Sequence, residues 1–183
     1  MNTNYNTQND LLLKNLLEFY NINDNMDKML NIINGKSQIS LRIIDWFATN
    51  YAKKNYTVYQ IQGSDKRFKV YNDYKLKLKA YSKRRFDPFC RWERITVPYK
   101  NDSFIQTTIG QLNFFKWALE NSVIDYIEQN FKAIETDMNS RNSTSKNKKP
   151  DNTNKTRKKR EELSVSASKS IKKEKVEIVL KFD

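Results

Sequence analysis

"FKVYNDYKLKLKAYSK", residues 68–83, admits two backbone readings, and the choice between them decides the fold. With a period of two, Lys75 to Lys79 alternates like a strand. With a period of 3.6, Tyr71, Tyr74, Leu78 and Tyr81 fall on one helical face. The helical stripe has four members, whereas the alternation covers only Leu76 and Leu78 before Ala80 ends it. The spacing therefore predicts a helix, and with it an α+β chain that is mainly helical and carries only a small sheet.

The flanks agree. "YTVYQIQ" (56–62) is β-branched and aromatic and precedes the turn "GSDK", so it predicts a strand. Asp87-Pro88 stops the helix, and "RWERITVPY" (91–99) resumes as a strand. Upstream, "NDLLLKNLLEFY" predicts a helix capped by Asn9 or Asp10, with Leu12, Leu13, Leu16, Leu17 and Tyr20 inward. A second helix is expected in "DNMDKMLNIING", with Gly35 just past its end, where a left-handed residue is needed. A third begins near Ser37 or Ser40 and turns Ile39, Ile43, Trp46, Phe47 and Tyr51 to one side. Downstream, "QLNFFKWALENSVIDYIEQNFKAIETDM" (111–138) carries Leu112, Phe115, Leu119, Val123, Ile127, Phe131, Ile134 and Met138 in one stripe. Neither Pro nor Gly interrupts it, which predicts one closing helix about 40 Å long at 1.5 Å per residue.

The expected organisation is a flexible N-terminus over 1–8 and one globular domain over 9–138. A basic segment, disordered when free, follows over 139–175, and a terminal strand over 176–183. The basic segment holds thirteen Lys or Arg against four Asp or Glu and no aromatic residue, too little apolar surface to offset its ordering entropy. In the terminal "VEIVLKFD", Val176, Ile178, Leu180 and Phe182 alternate with the residues between them, a pattern that fits the domain's own sheet edge or a partner's.

Several chemistries are excluded by what the chain lacks. With no His and one Cys it assembles neither a Ser-His-Asp triad, nor a Cys-His pair, nor a zinc site of the usual nitrogen and sulfur type. The glycine-rich loops that cradle phosphates are missing too. No cofactor and no enzymatic activity are expected. The surviving enzyme class is a Mg²⁺-dependent nuclease built on carboxylates such as Asp73, Asp87 and Glu93, which read more simply as solvated surface. Cys90, between Phe89 and Trp92 across one residue, reads as a small buried apolar group. A lone thiol suggests a reducing, intracellular setting. The polar "MNTNYNTQND" is no secretory signal, and no run approaches the length of a membrane span.

The net charge of +13 is concentrated in two blocks. One is the basic segment; the other is 65–94, with eleven Lys or Arg against four Asp or Glu. Such asymmetry attracts a polyanion. Lys75, Lys77, Lys79, Lys83, Arg84, Arg85, Arg91 and Arg94 are the candidate phosphate contacts of the folded part. Tyr74, Tyr81, Phe86 and Trp92 are candidates to stack on bases wherever they are exposed. Arg157, Lys158, Lys159 and Arg160 form a run suited to backbone contact or nuclear import. Ser164, Ser166, Ser168 and Ser170 follow it, where phosphorylation would cancel positive charge.

"KVYNDYKLKLKAYSKRRFDPFCRWERI", "TTIGQLNFFKWALENSVIDYIEQNFKAIETDMN" and the ending "RKKREELSVSASKSI…VEIVLKFD" resemble an uncharacterised family of small proteins encoded by giant DNA viruses of the mimivirus type. The resemblance spans 37–138 and 155–183. It implies a viral factory in host cytoplasm, or the virion, as the setting, with no activity and no functional residues. Together these readings lead to a non-enzymatic viral nucleic-acid-associated protein, acting in genome organisation or late transcription. A virion or viral-factory scaffold, joined to a viral protein partner through the terminal strand, is the alternative.

Overall fold

The computed structural model describes residues 7–61, 63, 65, 67–100, 103–146 and 172–175. Helix α1 (Gln8–Tyr20) opens on a capping box. Thr7 Oγ1 accepts from the Asp10 backbone N–H, and the Asp10 carboxylate accepts from the Thr7 N–H and hydroxyl. The cap is thus Thr7 rather than Asn9 or Asp10, and of the segment expected to be flexible Gln8 lies in the helix and Thr7 caps it. Helix α2 (Asn25–Ile33) ends at Gly35, whose φ of +71° is the left-handed geometry expected there. Helix α3 (Leu41–Trp46) starts on Ser40, whose hydroxyl accepts from the Ile43 N–H, and runs through a π-helical turn (Phe47–Tyr51) into the short α4 (Ala52–Lys54).

Strands β1 (Val58–Gln60) and β2 (Arg67–Lys69) pair antiparallel with Tyr59 opposite Phe68. The ambiguous stretch is helical: α5 spans Val70–Arg85, bent at Ser82. Strand β3 (Arg94–Tyr99) then turns into β4 (Ser103–Thr108), a strand the sequence reading passed over, in register from Arg94 opposite Thr108 to Tyr99 opposite Ser103. The other side of β4 pairs antiparallel with β5 (Lys172–Lys175), making β4 the central strand of three.

The single long helix expected over 111–138 is three: α6 (Ile109–Glu120), α7 (Val123–Gln129) and α8 (Phe131–Lys146). Asn121 and Asn130 end the first two, each folding its side-chain amide back onto the carbonyl four residues earlier, and Ser122 takes a left-handed φ of 51°. Asn and Ser favour such local bonds over helix continuation, which the apolar stripe does not register. Tyr59 reinforces the first break: its hydroxyl donates to the Asn121 carbonyl at 2.8 Å while its ring stacks on Tyr126. Helix α8 carries the fold eight residues past Met138. The terminal strand expected over 176–183 lies outside the described residues, as does 147–171 of the basic segment; Lys172–Lys175, assigned to that segment, is strand β5.

Helix α6 is the hub. Gly110 through Phe115, Trp117 and Ala118 are all buried, leaving Lys116 and Glu120 as an outward ion pair at 3.3 Å. A helix buried almost all round needs partners on every side, and its buried polar residues all find them. Gln111 Nε2 donates to the Pro88 carbonyl at 3.1 Å, Asn113 Nδ2 to the Arg85 carbonyl at 2.8 Å, and Trp117 Nε1 to Asp73 at 2.7 Å. Tyr20, from α1, donates to the Leu112 carbonyl at 2.7 Å, and burial pushes its phenol well above the ordinary value.

Gly110 permits the closest of these approaches. A Cβ there would lie 2.9 Å from the Arg84 carbonyl oxygen and 2.9 Å from Cys90 Cβ. Gly110→Ala is expected to cost about 1–3 kcal/mol of stability by overpacking, read as a lower denaturant midpoint.

Helix α8 is tied to α3 and α4 through Asp137, which accepts from Lys54 Nζ at 2.7 Å and Trp46 Nε1 at 3.1 Å. The Lys54 ammonium, aided by Trp46, holds the Asp137 carboxyl below its usual pKa. A depressed folded-state value stabilises above the unfolded pKa and is lost as pH falls through the folded one. Asp137→Asn is therefore expected to cost about 1–2 kcal/mol near neutrality. The gap to wild type should close in thermal melts below about pH 3.9.

Candidate functional site

The helical period sorts α5 into two faces. Val70 and Tyr74 are buried, with Tyr71, Leu78 and Tyr81 packed at the margin of the core, while Lys75, Leu76 and Lys79 point to solvent. Lys77 lies between the two and is half-buried. At Ser82 the backbone leaves helical geometry (φ 61°, ψ 169°), and Lys83, Arg84 and Arg85 follow in a new direction.

What holds the two arginines outward is the backbone beneath them. The Arg85 carbonyl is taken by Asn113 and the Arg84 carbonyl by the Cys90 thiol at 3.4 Å, so both peptide groups face α6. Asp87 accepts from the Phe89 N–H at 2.8 Å and donates its own N–H to the Gly110 carbonyl at 3.2 Å, closing the loop. Arg84 then lies over the Trp92 ring, 4.5 Å from guanidinium carbon to ring centre, a cation–π pair on an indole that is 54% exposed. Arg84, Arg85, Trp92 and Glu93 line a small cavity of about 90 Å³ with Asn9 of α1 and Ile109 of α6. Asn9 Oδ1 has no hydrogen-bond partner among the described residues. Nothing in the sequence pointed to Asn9 here, because its contribution comes from α1 packing beside α6.

Of the proposed phosphate contacts in the folded part, Lys75, Lys79, Lys83, Arg84, Arg91 and Arg94 are exposed, and Lys77 and Arg85 half-buried. The run Arg157–Arg160 and the serines after it lie outside the described residues. The eight folded-part cations have no ion-pair partner among the described residues. Elsewhere the basic side chains Lys14, Lys54, Lys100, Lys116 and Arg141 are matched to carboxylates.

The stacking candidates divide. Phe86 is 1% exposed and packs with its ring centre 5.4 Å from Phe114 and 5.7 Å from Trp117, and Tyr74 is buried beside both Phe86 and Trp117. Neither can reach a base: a core of this size needs those rings more than the surface does. Tyr81 is half-buried against Phe86, and Trp92 alone of the four is exposed.

Two of the three acids considered for Mg²⁺ have hydrogen-bond partners within the fold. Asp73 receives the Trp117 indole N–H and Asp87 braces the loop, while Glu93 sits exposed at a left-handed φ of 40°. No group of three or more His, Cys, Asp or Glu side chains among the described residues is arranged to hold a metal. Cys90 is buried against Gly110, as a small apolar residue should be. No helix among the described residues is long and apolar enough to cross a membrane.

The inward and outward rings should respond oppositely to deletion. Phe86→Ala is expected to lose about 3–5 kcal/mol of stability. Trp92→Ala should stay within about 1 kcal/mol in chemical denaturation, with only its contact to Arg84 removed.

A family model described as a family of unknown function (DUF7197) matches residues 1–181. The chain is also 50% identical over 127 residues to the uncharacterized protein L507 of Acanthamoeba polyphaga mimivirus, an alignment covering 66% of this chain and 48% of that protein. The chain thus spans about half the length of the curated relative it matches. No solved structure matches it. The chain belongs to the DUF7197 family, and its likeness to a mimivirus protein agrees with the giant-virus resemblance of its sequence.

Proposed function

We propose that this DUF7197 protein binds the phosphate backbone of nucleic acid, without catalysing a reaction on it, through the outer face of α5 and the Arg84–Arg94 loop. The observation that carries this reading is the set of eight Lys and Arg side chains, gathered between Lys75 and Arg94, with no carboxylate partner among the described residues. Unpaired surface cations keep their field, which draws a polyanion from a distance and releases counterions when it docks. The backbone bonds beneath Arg84 and Arg85 support the same reading, since guanidinium groups on an anchored loop lose less freedom on binding. The basic run 157–160 would add affinity without sequence preference. The role that follows is genome organisation or late transcription at the viral factory in host cytoplasm, or packing of nucleic acid in the virion.

A second reading, a scaffold of the virion or factory, draws on β5. A four-residue strand donated from far along the chain to the edge of β4 uses the same backbone pairing that a neighbouring copy would offer. Removing residues 172–183 should abolish self-association in sedimentation if the scaffold reading is right, and leave nucleic-acid affinity near that of the intact chain if the backbone-binding reading is right.

The direct test is fluorescence-anisotropy titration of duplex DNA across salt. The double variant Arg84→Gln, Arg85→Gln is expected to lower the log–log salt slope by about 1.8, at about 0.9 per lost phosphate contact. An unchanged slope and affinity would remove this face from the interface.

A further inference from the structure

Along α5 from the arginine loop, toward the N-terminal end of the helix, lies a second surface that the basic-block reading did not include. Tyr56 is 86% exposed, although aromatic rings are normally withdrawn from water. It stands between α4 and β1 with a left-handed φ of 47°. The other non-glycine residues with positive φ are Asn23, Asp24, Ser82, Glu93 and Ser122, all polar. Asn or Gly would occupy position 56 at lower backbone cost, so the ring is kept there against local preference.

The ground around Tyr56 is continuous with the outer face of α5. A depression of about 280 Å³ is lined by Tyr56, Val58, Lys53, Lys69 and Tyr71, and Tyr71 and Asn72 are shared with a shallower one of about 640 Å³ bordered by Lys75, Leu76 and Lys79. Leu76 is 65% exposed and Val58 45%. Lys53 lies 5.6 Å over the Tyr71 ring. Among the residues lining both depressions there are four lysines and no acid. An exposed ring and apolar side chains beside lysines without carboxylate partners match one ligand chemistry, the flat base of a strand whose phosphates run beside it. Bases inside a duplex offer no face to such a ring.

We infer that the Tyr56 surface is a base-stacking site, and that the nucleic acid this protein prefers is single-stranded. The inference rests on the backbone-binding reading, which supplies the phosphate contacts along α5. From Asn72 to Ser82 the helix advances about 15 Å at 1.5 Å per residue. A strand crossing it meets Tyr56 and Tyr71 at one end and the Arg84–Trp92 pair at the other.

The test uses the full chain and three probes: a thymidine strand of about fifteen nucleotides, an abasic strand of the same length, and the matching duplex. Tyr56→Asn removes the ring and suits the left-handed backbone, so a thermal melt no lower than wild type is expected. On the thymidine strand it should weaken binding about tenfold, with Tyr56→Phe within about twofold of wild type and neither variant changed on the abasic strand or duplex. An equal loss on all three probes, or no loss on any, overturns the stacking site. Duplex binding that depends on Arg84 and Arg85, with no gain for the thymidine strand, overturns the single-strand preference and leaves the backbone reading standing. Binding to none of the probes overturns both.

Discussion

The close contact between the 84–90 segment and the first turns of α6 organises most of this molecule. Gly110 lets the Arg84 carbonyl and Cys90 approach a helix backbone to distances at which any side chain would collide. Around that point Gln111, Asn113 and Asp87 exchange hydrogen bonds with the opposing segment, and Trp117 donates to Asp73 of α5. Buried amides satisfied in this manner resist displacement, because separating the two segments would strand several donors and acceptors at once. The same bonds orient α5 on one side of α6 and the β3–β4 hairpin beyond it.

A consequence of that anchoring is a clean division between rings and charges. Tyr74 and Phe86 enter the aromatic cluster with Phe114 and Trp117, whereas the cations interspersed with them in sequence turn to water. A stretch that reads as one mixed basic and aromatic block therefore becomes an apolar inside and a cationic outside. Among the described residues, Trp92 and Tyr56 are the large rings that remain outside, one under a guanidinium and the other among lysines. Among the described residues the surface that results is mainly cationic, with few exposed rings.

Much of the fold is legible in local pattern. The four-member stripe of α5 outweighed a two-residue alternation, Gly35 marked a helix end, and Asp87-Pro88 marked a break, because each reflects backbone preference within a few residues. The errors share a cause as well. The breaks at Asn121 and Asn130 leave the apolar stripe intact, so periodicity ran through them, and the Thr7 cap competed with two equally good capping residues beside it. Strand β4 escapes a pattern reading because its burial alternates while its residue types do not: the polar Ser103 and Thr107 lie on the buried face with Ile105, and Phe104 lies with Gln106 on the half-buried one.

For the site, composition and spacing determined that the chain is basic in blocks, has no histidine chemistry, and presents Lys75, Lys79, Arg84 and Arg85 on or beside one helix. Those are properties of residue type and of a 3.6-residue period, which short-range sterics enforce. Which rings stay outside was decided only in three dimensions. Phe86 and Trp92 are equally aromatic and six residues apart, yet one fills the core and the other does not, because the loop's bonds to α6 turn the chain between them. The joining of Tyr56 to the face of α5, and of Asn9 to Arg84, likewise depends on contacts between segments distant in sequence, where no local preference acts.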